Sequence, residues 1–533
     1  MRNILIVSIR MEVFLVELVK KKIHMDRVVS KAGTQIVLEE DVNISDNKPD
    51  ASFLLCSKGD IILEEVRAGE NVVTLKGRMV VSVLYLTEAE GSCASMETAI
   101  PFEEKVNMEG VNTGDDVRVE WSVEDLTAGL INSRKISVQA VVSFGLEAQE
   151  HEEQDIAVDI CHDEPVEYRK CNYPIAELAM QKKDIYRIKE EMELTGNLPN
   201  VFQIIWHQIT FDHMEFKALE DKISIQGDMK AFFLYEGEGD NDRALWYENT
   251  IPFSGVIECQ GCTEDMIPDI EYSLGQCNVE VRQDFDGEER VFCMELVLDL
   301  GIRLYVEEQT EVLADIYGVD KEIEAVTTPV QLKNLLYNGS GKCKIAETSD
   351  IQNPEMPMYQ LIHSEGEIQI DEQAIVENGI AVTGTLTVTT LYLCAGGAGA
   401  LYSTVNVVPF QYVAEAEDIM PTSAFRMHYS VEQLTVTMLN GEKLDIKAVL
   451  QFRVVVFAIC KSNLITDIEV GELDLNKLSE LPGMVIYIVR PGDTLWDIGK
   501  RYYVPIAQLK EVNELMGEEV SAGDKILVVK GSI

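Results

Sequence analysis

The sequence predicts a mainly β fold, with three tandem β-rich, sandwich-like repeats followed by a small domain of the order strand, helix, helix, strand. Two observations lead to this prediction. One strand pattern recurs three times in the first nine tenths of the 533-residue chain, and the last fifty residues change to helical spacing. Within the repeats, Val, Ile, Thr and aromatic residues dominate, and no stretch longer than about a dozen residues has helical spacing.

The recurring pattern alternates apolar residues around a glycine and ends in Leu-Tyr. Its three copies are Val73–Tyr85, Ile223–Tyr235 and Ile380–Tyr392. An Ile/Val-Pro-Phe sequence follows each copy, with its proline 24, 25 or 25 residues after the glycine, at Pro101, Pro252 and Pro409. Because the same register is kept three times, the pattern predicts three domains of one kind.

An aromatic residue stands twenty residues beyond each of these prolines, at Trp121, Tyr272 and Tyr429. We interpret the three aromatics as core or hairpin packing residues rather than as ligand platforms.

The repeats are expected at residues 26–162, 173–318 and 328–470, each the size of an ordinary domain. Short connectors are expected around Cys161 to Cys171 and Tyr317 to Val326. Residues 1–25 are expected to form an N-terminal segment, with Met11 as an alternative start. The acidic residues 471–483 are expected to link the repeats to the last domain, residues 484–533.

The last domain opens with a short strand at Tyr487–Val489 and a turn at Pro491 and Gly492. Asp493 and Thr494 then offer side-chain oxygens to the first amides of a helix. Apolar residues fall on one face of that helix at Leu495, Ile498 and Tyr502. A second helix is expected to open at Pro505, and Lys525–Val529 is expected to be the closing strand.

This domain resembles the LysM family, whose motif Tyr-x-Val-x-x-Gly-Asp-Thr-Leu-x-x-Ile it matches from Tyr487 to Ile498. LysM domains generally bind N-acetylglucosamine-containing glycans in a shallow groove. The resemblance implies that the groove is lined here by Gly492, Asp493, Thr494, Leu495, Trp496, Val520, Ser521, Ala522 and Gly523. We expect Trp496 to be partly exposed and available to a partner.

Two residues depart from the LysM pattern. Ala522 replaces a common proline, and Gly499 stands where alanine is usual. A glycine inside a helix costs about 1 kcal/mol relative to alanine. The fold is expected to survive these changes more surely than the affinity for sugar.

Three β repeats before a C-terminal LysM domain are similar to the SPOCS-domain family of endospore-forming bacteria, in particular to SipL-like spore coat morphogenesis proteins. The resemblance implies a non-enzymatic scaffold or adaptor that is made in the mother-cell cytoplasm and gathers at the forespore surface, in the spore coat. It implies a SpoIVA-like coat morphogenetic ATPase as partner, with the LysM domain binding that protein, peptidoglycan glycan, or both. Two other hypotheses remain: a peptidoglycan-binding cell-wall protein, and a cell-wall hydrolase that uses LysM for targeting.

The charge is strongly asymmetric. Residues 484–533 carry 6 Lys/Arg and 7 Asp/Glu, whereas the preceding 483 residues carry 39 and 85, a net charge of −46. Such a surface repels nucleic acid and anionic lipid and favours basic partners, although solubility alone also explains it. Eleven cysteines without a disulfide-module rhythm fit a reducing compartment. Charged residues interrupt the apolar N-terminus, so no signal peptide and no membrane insertion are expected.

No catalytic, cofactor or metal site can be assembled from the sequence. His207 and His213 share no helical face, and no glycine-rich phosphate-binding motif precedes a helix. The one CxxC, Cys259 to Cys262, has no second pair to complete a zinc site, so we expect reduced thiols, with cross-linking as an alternative. Asp240 and Asp242 resemble part of a calcium loop, but we expect a solvated turn.

Overall fold

The computed structural model describes residues 16–89, 92–162, 165–239, 244–353, 355–394, 400–473 and 483–529. The prediction of a mainly β protein with repeated sheets is confirmed. Three successive groups of six strands make up the repeats, and the helices of the described residues lie near the C-terminus. All strand pairings within the repeats are antiparallel.

Each repeat consists of two three-stranded sheets that enclose one apolar core. The sixth strand lies between the first and the fifth, and the third lies between the second and the fourth. The strands of the first repeat are β1 (Val16–Asn43), β2 (Ala51–Gly69), β3 (Val72–Thr87), β4 (Cys93–Asn107), β5 (Asp116–Asn132) and β6 (Lys135–His162).

The other two repeats have the same strand order and topology. The strands of the second repeat are β7 (Val166–Glu193), β8 (Val201–Leu219), β9 (Lys222–Gly237), β10 (Leu245–Glu258), β11 (Ile267–Gln283) and β12 (Glu289–Gly318). Those of the third are β13 (Lys321–Asp350), β14 (Met358–Val376), β15 (Gly379–Cys394), β16 (Leu401–Glu415), β17 (Ala424–Asn440) and β18 (Lys443–Glu472).

The recurring glycine and Pro-Phe sequence are cross-strand neighbours. Gly77 lies opposite Phe102, and the equivalent pairs are Gly227 with Phe253 and Gly384 with Phe410. A Cβ on Gly77 would lie 3.0 Å from the Phe102 ring and 2.4 Å from the Ile62 carbonyl oxygen. The glycine therefore makes room for the aromatic ring and the adjacent strand. This pairing explains the constant spacing of the pattern.

The Leu-Tyr end of the pattern has two separate roles. Each tyrosine points into the core of its own repeat, where the Tyr85 hydroxyl donates a hydrogen bond to the Pro49 carbonyl oxygen at 3.1 Å. Tyr235 and Tyr392 make the equivalent bonds across the same interval of 36 residues. Each leucine instead packs between repeats, where Leu84, Leu234 and Leu391 share one buried cluster. The repeats therefore share apolar surface, which favours their assembly as one body.

The first and last strands of each repeat extend past the sandwich as a two-stranded ribbon. The ribbons pair residues 16–28 with 149–162, 166–178 with 305–318, and 321–335 with 457–472. A β-bulge separates each ribbon from its sandwich, with Val29, Ala179 and Leu336 as the unpaired residues. The three ribbons pack on one another around two buried clusters. We call this three-ribbon bundle the stem.

The stem changes the interpretation of the segments predicted as connectors. The described residues around Cys161 to Cys171 and Tyr317 to Val326 are mostly strand, since β6 ends at His162 and β7 begins at Val166, and β12 ends at Gly318 and β13 begins at Lys321. Among the described residues, the stem begins at Val16, inside the predicted N-terminal segment. Alternation of apolar and polar residues there is weak because each ribbon contacts two others, and for this reason the sequence did not reveal these strands.

The C-terminal domain has two short strands and two helices. They are β19 (Met484–Ile488), α1 (Leu495–Tyr502), α2 (Ile506–Val512) and β20 (Lys525–Val529). The strands pair antiparallel, Tyr487 opposite Ile526. Leu495, Ile498 and Leu509 are buried in the core of this domain. The predicted linker lies mostly outside the described residues.

Candidate functional site

The first turn of α1 is fixed by a capping box. The Thr494 hydroxyl accepts a hydrogen bond from the Asp497 amide at 3.2 Å, and the Asp497 carboxylate accepts one from the Thr494 amide at 3.0 Å. Asp493 has a different role from the predicted cap, because its carboxylate accepts from the Tyr487 hydroxyl at 2.6 Å and the Arg490 amide at 3.0 Å. These bonds lower the pKa of Asp493 below its ordinary value, despite a small opposing effect of burial.

The two loops implied to form the groove lie side by side. The Gly523 amide donates to the Val489 carbonyl oxygen at 2.8 Å, and the Val489 amide donates to the Asp524 carbonyl oxygen at 2.9 Å. Gly492 and Gly523 have φ of 93° and 97°, in the left-handed region that glycine tolerates. The loops therefore have a defined shape and can present a groove to a ligand.

The implied groove residues divide into an accessible set and a buried set. The exposed or half-buried residues are Gly492, Asp493, Thr494, Val520, Ser521, Ala522 and Gly523. Leu495 is 1% exposed and belongs to the core of the domain. Its side chain therefore supports the fold and does not reach a ligand.

The expectation that Trp496 is partly exposed is wrong. Its side chain is buried against the stem of the second repeat, and the residue is 9% exposed. The indole Nε1 donates to Asp315 Oδ2 at 2.8 Å. The indole also meets the Tyr317 ring edge-on, with 4.9 Å between centroids. The partner of Trp496 in this structure is thus the same chain, about 180 residues away in sequence, which local sequence patterns cannot reveal.

The repeated aromatics line a cavity where the three repeats meet. The cavity has a volume of about 320 Å³, and Trp121, Tyr272 and Tyr429 each contribute to its wall. Trp121 is 36% exposed and Tyr429 is 40% exposed. Trp121 and Tyr429 are therefore not core residues, but each lies opposite a buried phenylalanine in a hairpin, Phe144 and Phe452, respectively. Tyr272 packs against the core of the second repeat.

A buried ionic network beside this cavity joins all three repeats. Arg426 of the third repeat donates to Asp269 of the second at 2.6 Å and to Asp26 of the first at 3.1 Å. His428 and Lys333 add contacts to Asp269 and Asp26, respectively. Burial raises the pKa of Asp269, but the bonds from His428 and Arg426 outweigh burial and hold it well below the ordinary value. Sequence reasoning missed this network, because its members are spread over some 400 residues.

The remaining candidates do not assemble into a reactive site among the described residues. His207 is stacked on Phe233, whereas His213 contacts carboxylates at the surface. Cys259 and Cys262 are buried in the core of the second repeat. No cluster of His, Cys, Asp and Glu in the described part of the chain has the arrangement of a metal site. Asp240 and Asp242 lie outside the described residues.

Comparison with protein-family models identifies the units of this architecture. The model described as SipL, SPOCS domain matches residues 50–131, 200–282 and 357–439. In each repeat these residues cover the second to the fifth strand, so the ribbons of the stem lie outside the matches. The LysM domain model matches residues 487–529. The molecule is thus a multidomain protein of non-catalytic families, with a module of a glycan-binding type.

In this chain three SPOCS domains precede a C-terminal LysM domain, which matches the architecture of SipL-like proteins. This confirms the family resemblance drawn from the sequence. No curated protein and no solved structure matches the chain. Neither helix of the described residues has the length and apolar character needed to cross a membrane.

Proposed function

We propose that this protein is a non-enzymatic scaffold in endospore coat assembly, and that the groove loops of its LysM domain bind a SpoIVA-like coat-base protein. The match to the SipL family model supports the first part, because that family is sporulation-related. The accessible pair of loops, 492–494 and 520–523, supports the second part. Action in the mother-cell cytoplasm, at the forespore surface, belongs to the same proposal.

The shared cores between repeats support the scaffold role. A scaffold must hold its binding surfaces at fixed positions. The buried clusters between the repeats and the network around Arg426 provide such rigidity. The acidic surface of the repeats, with a net charge of −46 before the LysM domain, favours association with basic surfaces.

Peptidoglycan binding is the alternative function, and the LysM match itself favours it. In that case the groove loops hold an N-acetylglucosamine-containing glycan, and the repeats project from the wall. Both hypotheses use the same loops, so a substitution there tests both.

The test is a pull-down with the purified full chain against a SpoIVA-like protein and, separately, against insoluble peptidoglycan. Ala522→Trp fills the predicted groove at an exposed position, and Met516→Trp adds the same bulk at an exposed position outside it. Loss of the coat-base protein with Ala522→Trp alone supports the adaptor. Retention on peptidoglycan alone, lost with Ala522→Trp, supports the wall-binding alternative. Binding that is unchanged by Ala522→Trp excludes the groove.

A further inference from the structure

The stem contains a second repeated sequence, which ends in Asp-Ile. Its copies are Ala157–Ile160, Leu313–Ile316 and Ile465–Ile468. In each copy a β-bulge precedes the aspartate. The carboxylate accepts a hydrogen bond from the amide of the next residue, at 2.9 Å for Asp159, 2.8 Å for Asp315 and 3.0 Å for Asp467. The three ribbons thus present the same carboxylate at equivalent positions.

Two of these carboxylates are paired with a lysine from the next ribbon around the stem. Asp159 of the first repeat lies 3.1 Å from Lys170 of the second. Asp467 of the third repeat lies 3.9 Å from Lys20 of the first. Lys20 and Lys170 are themselves equivalent, since they lie opposite Ala157 and Leu313, two residues before the aspartates.

The third position lacks this lysine. The residue opposite Ile465 is Thr327, which has no charge to offer Asp315. The LysM domain supplies the missing cation instead, because Lys500 Nζ donates to Asp315 Oδ1 at 2.5 Å. With the indole of Trp496 on Oδ2, both carboxylate oxygens of Asp315 are bound by the LysM domain.

The contact surface around Asp315 is shaped for the LysM domain. The Tyr317 hydroxyl donates to the Val504 carbonyl oxygen at 2.9 Å in a buried position. A Cβ on Gly499 would lie 2.6 Å from that hydroxyl oxygen, so the glycine permits the close approach. The residues at the positions of Tyr317 in the other repeats are Cys161 and Glu469, which lack an aromatic ring. Only the second repeat therefore combines an aspartate without a stem lysine and a tyrosine.

We propose that the second repeat carries a docking surface for the LysM domain, and that Thr327 specifies this surface by leaving Asp315 without its stem lysine. The docked face is the side of α1 that bears Trp496 and Gly499, whereas the groove loops remain accessible. A ligand that occupies the groove binds without releasing the domain. A partner that requires Trp496 must displace the second repeat.

The experiment introduces a site-specific protease sequence into residues 474–482 of the full chain. After cleavage, gel filtration over a range of concentrations measures how much LysM fragment stays with the repeats. Thr327→Lys restores the stem lysine and competes with Lys500 for Asp315. Thr327→Gln adds a side chain of similar length without the charge. The LysM fragment released from either Thr327 variant has the wild-type sequence, so a fault in LysM folding cannot explain a loss of docking.

We expect co-elution of the wild-type fragments and of the Thr327→Gln fragments. Thr327→Lys should raise the dissociation constant about tenfold or more, since a hydrogen bond to a charged group is lost or shared. Asp315→Asn should weaken docking similarly, with unchanged circular dichroism of the repeats as its folding control. Separation of the wild-type fragments after cleavage overturns the docking surface. Equal retention of the lysine and glutamine variants overturns the role of Thr327. The readout uses no coat protein or glycan and is therefore independent of the proposed function.

Discussion

Replacing Arg426 with alanine should loosen the assembly of the three repeats. The guanidinium of Arg426 bonds Asp269 at 2.6 Å and Asp26 at 3.1 Å, and these carboxylates are 2% and 4% exposed. Its removal leaves two buried anions short of a cation. Breaking a buried ion pair from one side typically costs about 3–5 kcal/mol. Because Lys333 and His428 still contact the two carboxylates, we expect the lower end, about 3 kcal/mol.

Urea unfolding of the full chain, followed by tryptophan fluorescence and circular dichroism, measures this loss. A chain of several domains need not unfold in one step, so the midpoint of the earliest transition is compared between variants. Arg78→Ala is the matched control, since Arg78 and Glu64 form an ion pair on the surface of the first repeat. Such a pair contributes about 0–1 kcal/mol.

Equal, small shifts in Arg426→Ala and Arg78→Ala would refute the argument that the network holds the repeats together. Acid should have a related effect. The folded-state pKa of Asp269 is depressed, so its stabilisation is present above its unfolded pKa of about 4 and is lost as the pH falls from there towards the folded value. The Arg426→Ala variant should therefore lose less stability than the wild type when the pH is lowered below about 4.

Three further predictions follow from single side chains. Leu495→Ala should unfold the LysM domain, as removal of a buried leucine costs about 2–5 kcal/mol, and loss of amide signal dispersion in NMR spectra of that domain would detect it. Phe144→Ala should lower the free energy of unfolding by about 3–5 kcal/mol, because Phe144 is buried. Trp121→Ala, at the half-exposed cross-strand partner, should lower it clearly less. Denaturant melts that rank the two variants the other way would be incompatible with the structure. Tyr487→Phe removes the hydrogen bond that contributes most to the low pKa of Asp493, so an NMR titration should find that pKa closer to about 3.9, and an unchanged value would contradict the assigned bond.

Local patterns predicted the recurring β units and the change to helices near the C-terminus, but they did not reveal the strands of the stem. Gly77 and Phe102 lie opposite each other on adjacent strands of a hairpin, so the number of residues between them fixes their register. Thr494 and Asp497 form their capping box within one helical turn. The residues in such contacts are close together in the sequence, so a recurring pattern of residue types reveals them.

The contacts between units could not be predicted in the same way. Trp496 lies in the first turn of α1, and it is buried against Asp315 and Tyr317, which belong to another domain. The interpretation of Gly499 as a cost to helix stability was incomplete for the same reason, because the glycine accommodates Tyr317. The Asp-Ile repeat was visible in the sequence, but its meaning depends on which lysine faces each carboxylate, and only the stem geometry supplies that information.

Fusion of the repeats in one chain permits an arrangement that three identical subunits cannot form. Arg118, Asp269 and Arg426 each lie three residues before the recurring aromatic and so occupy equivalent positions. In a symmetric trimer, three copies of one charge would meet there and repel one another at low dielectric. In the fused chain, an aspartate alternates with two arginines, and Arg426 bonds Asp269 directly. Because the fused repeats can differ in sequence, Thr327 also differs from Lys20 and Lys170 at the equivalent positions. This difference leaves Asp315 of the second repeat to bind Lys500 of the LysM domain.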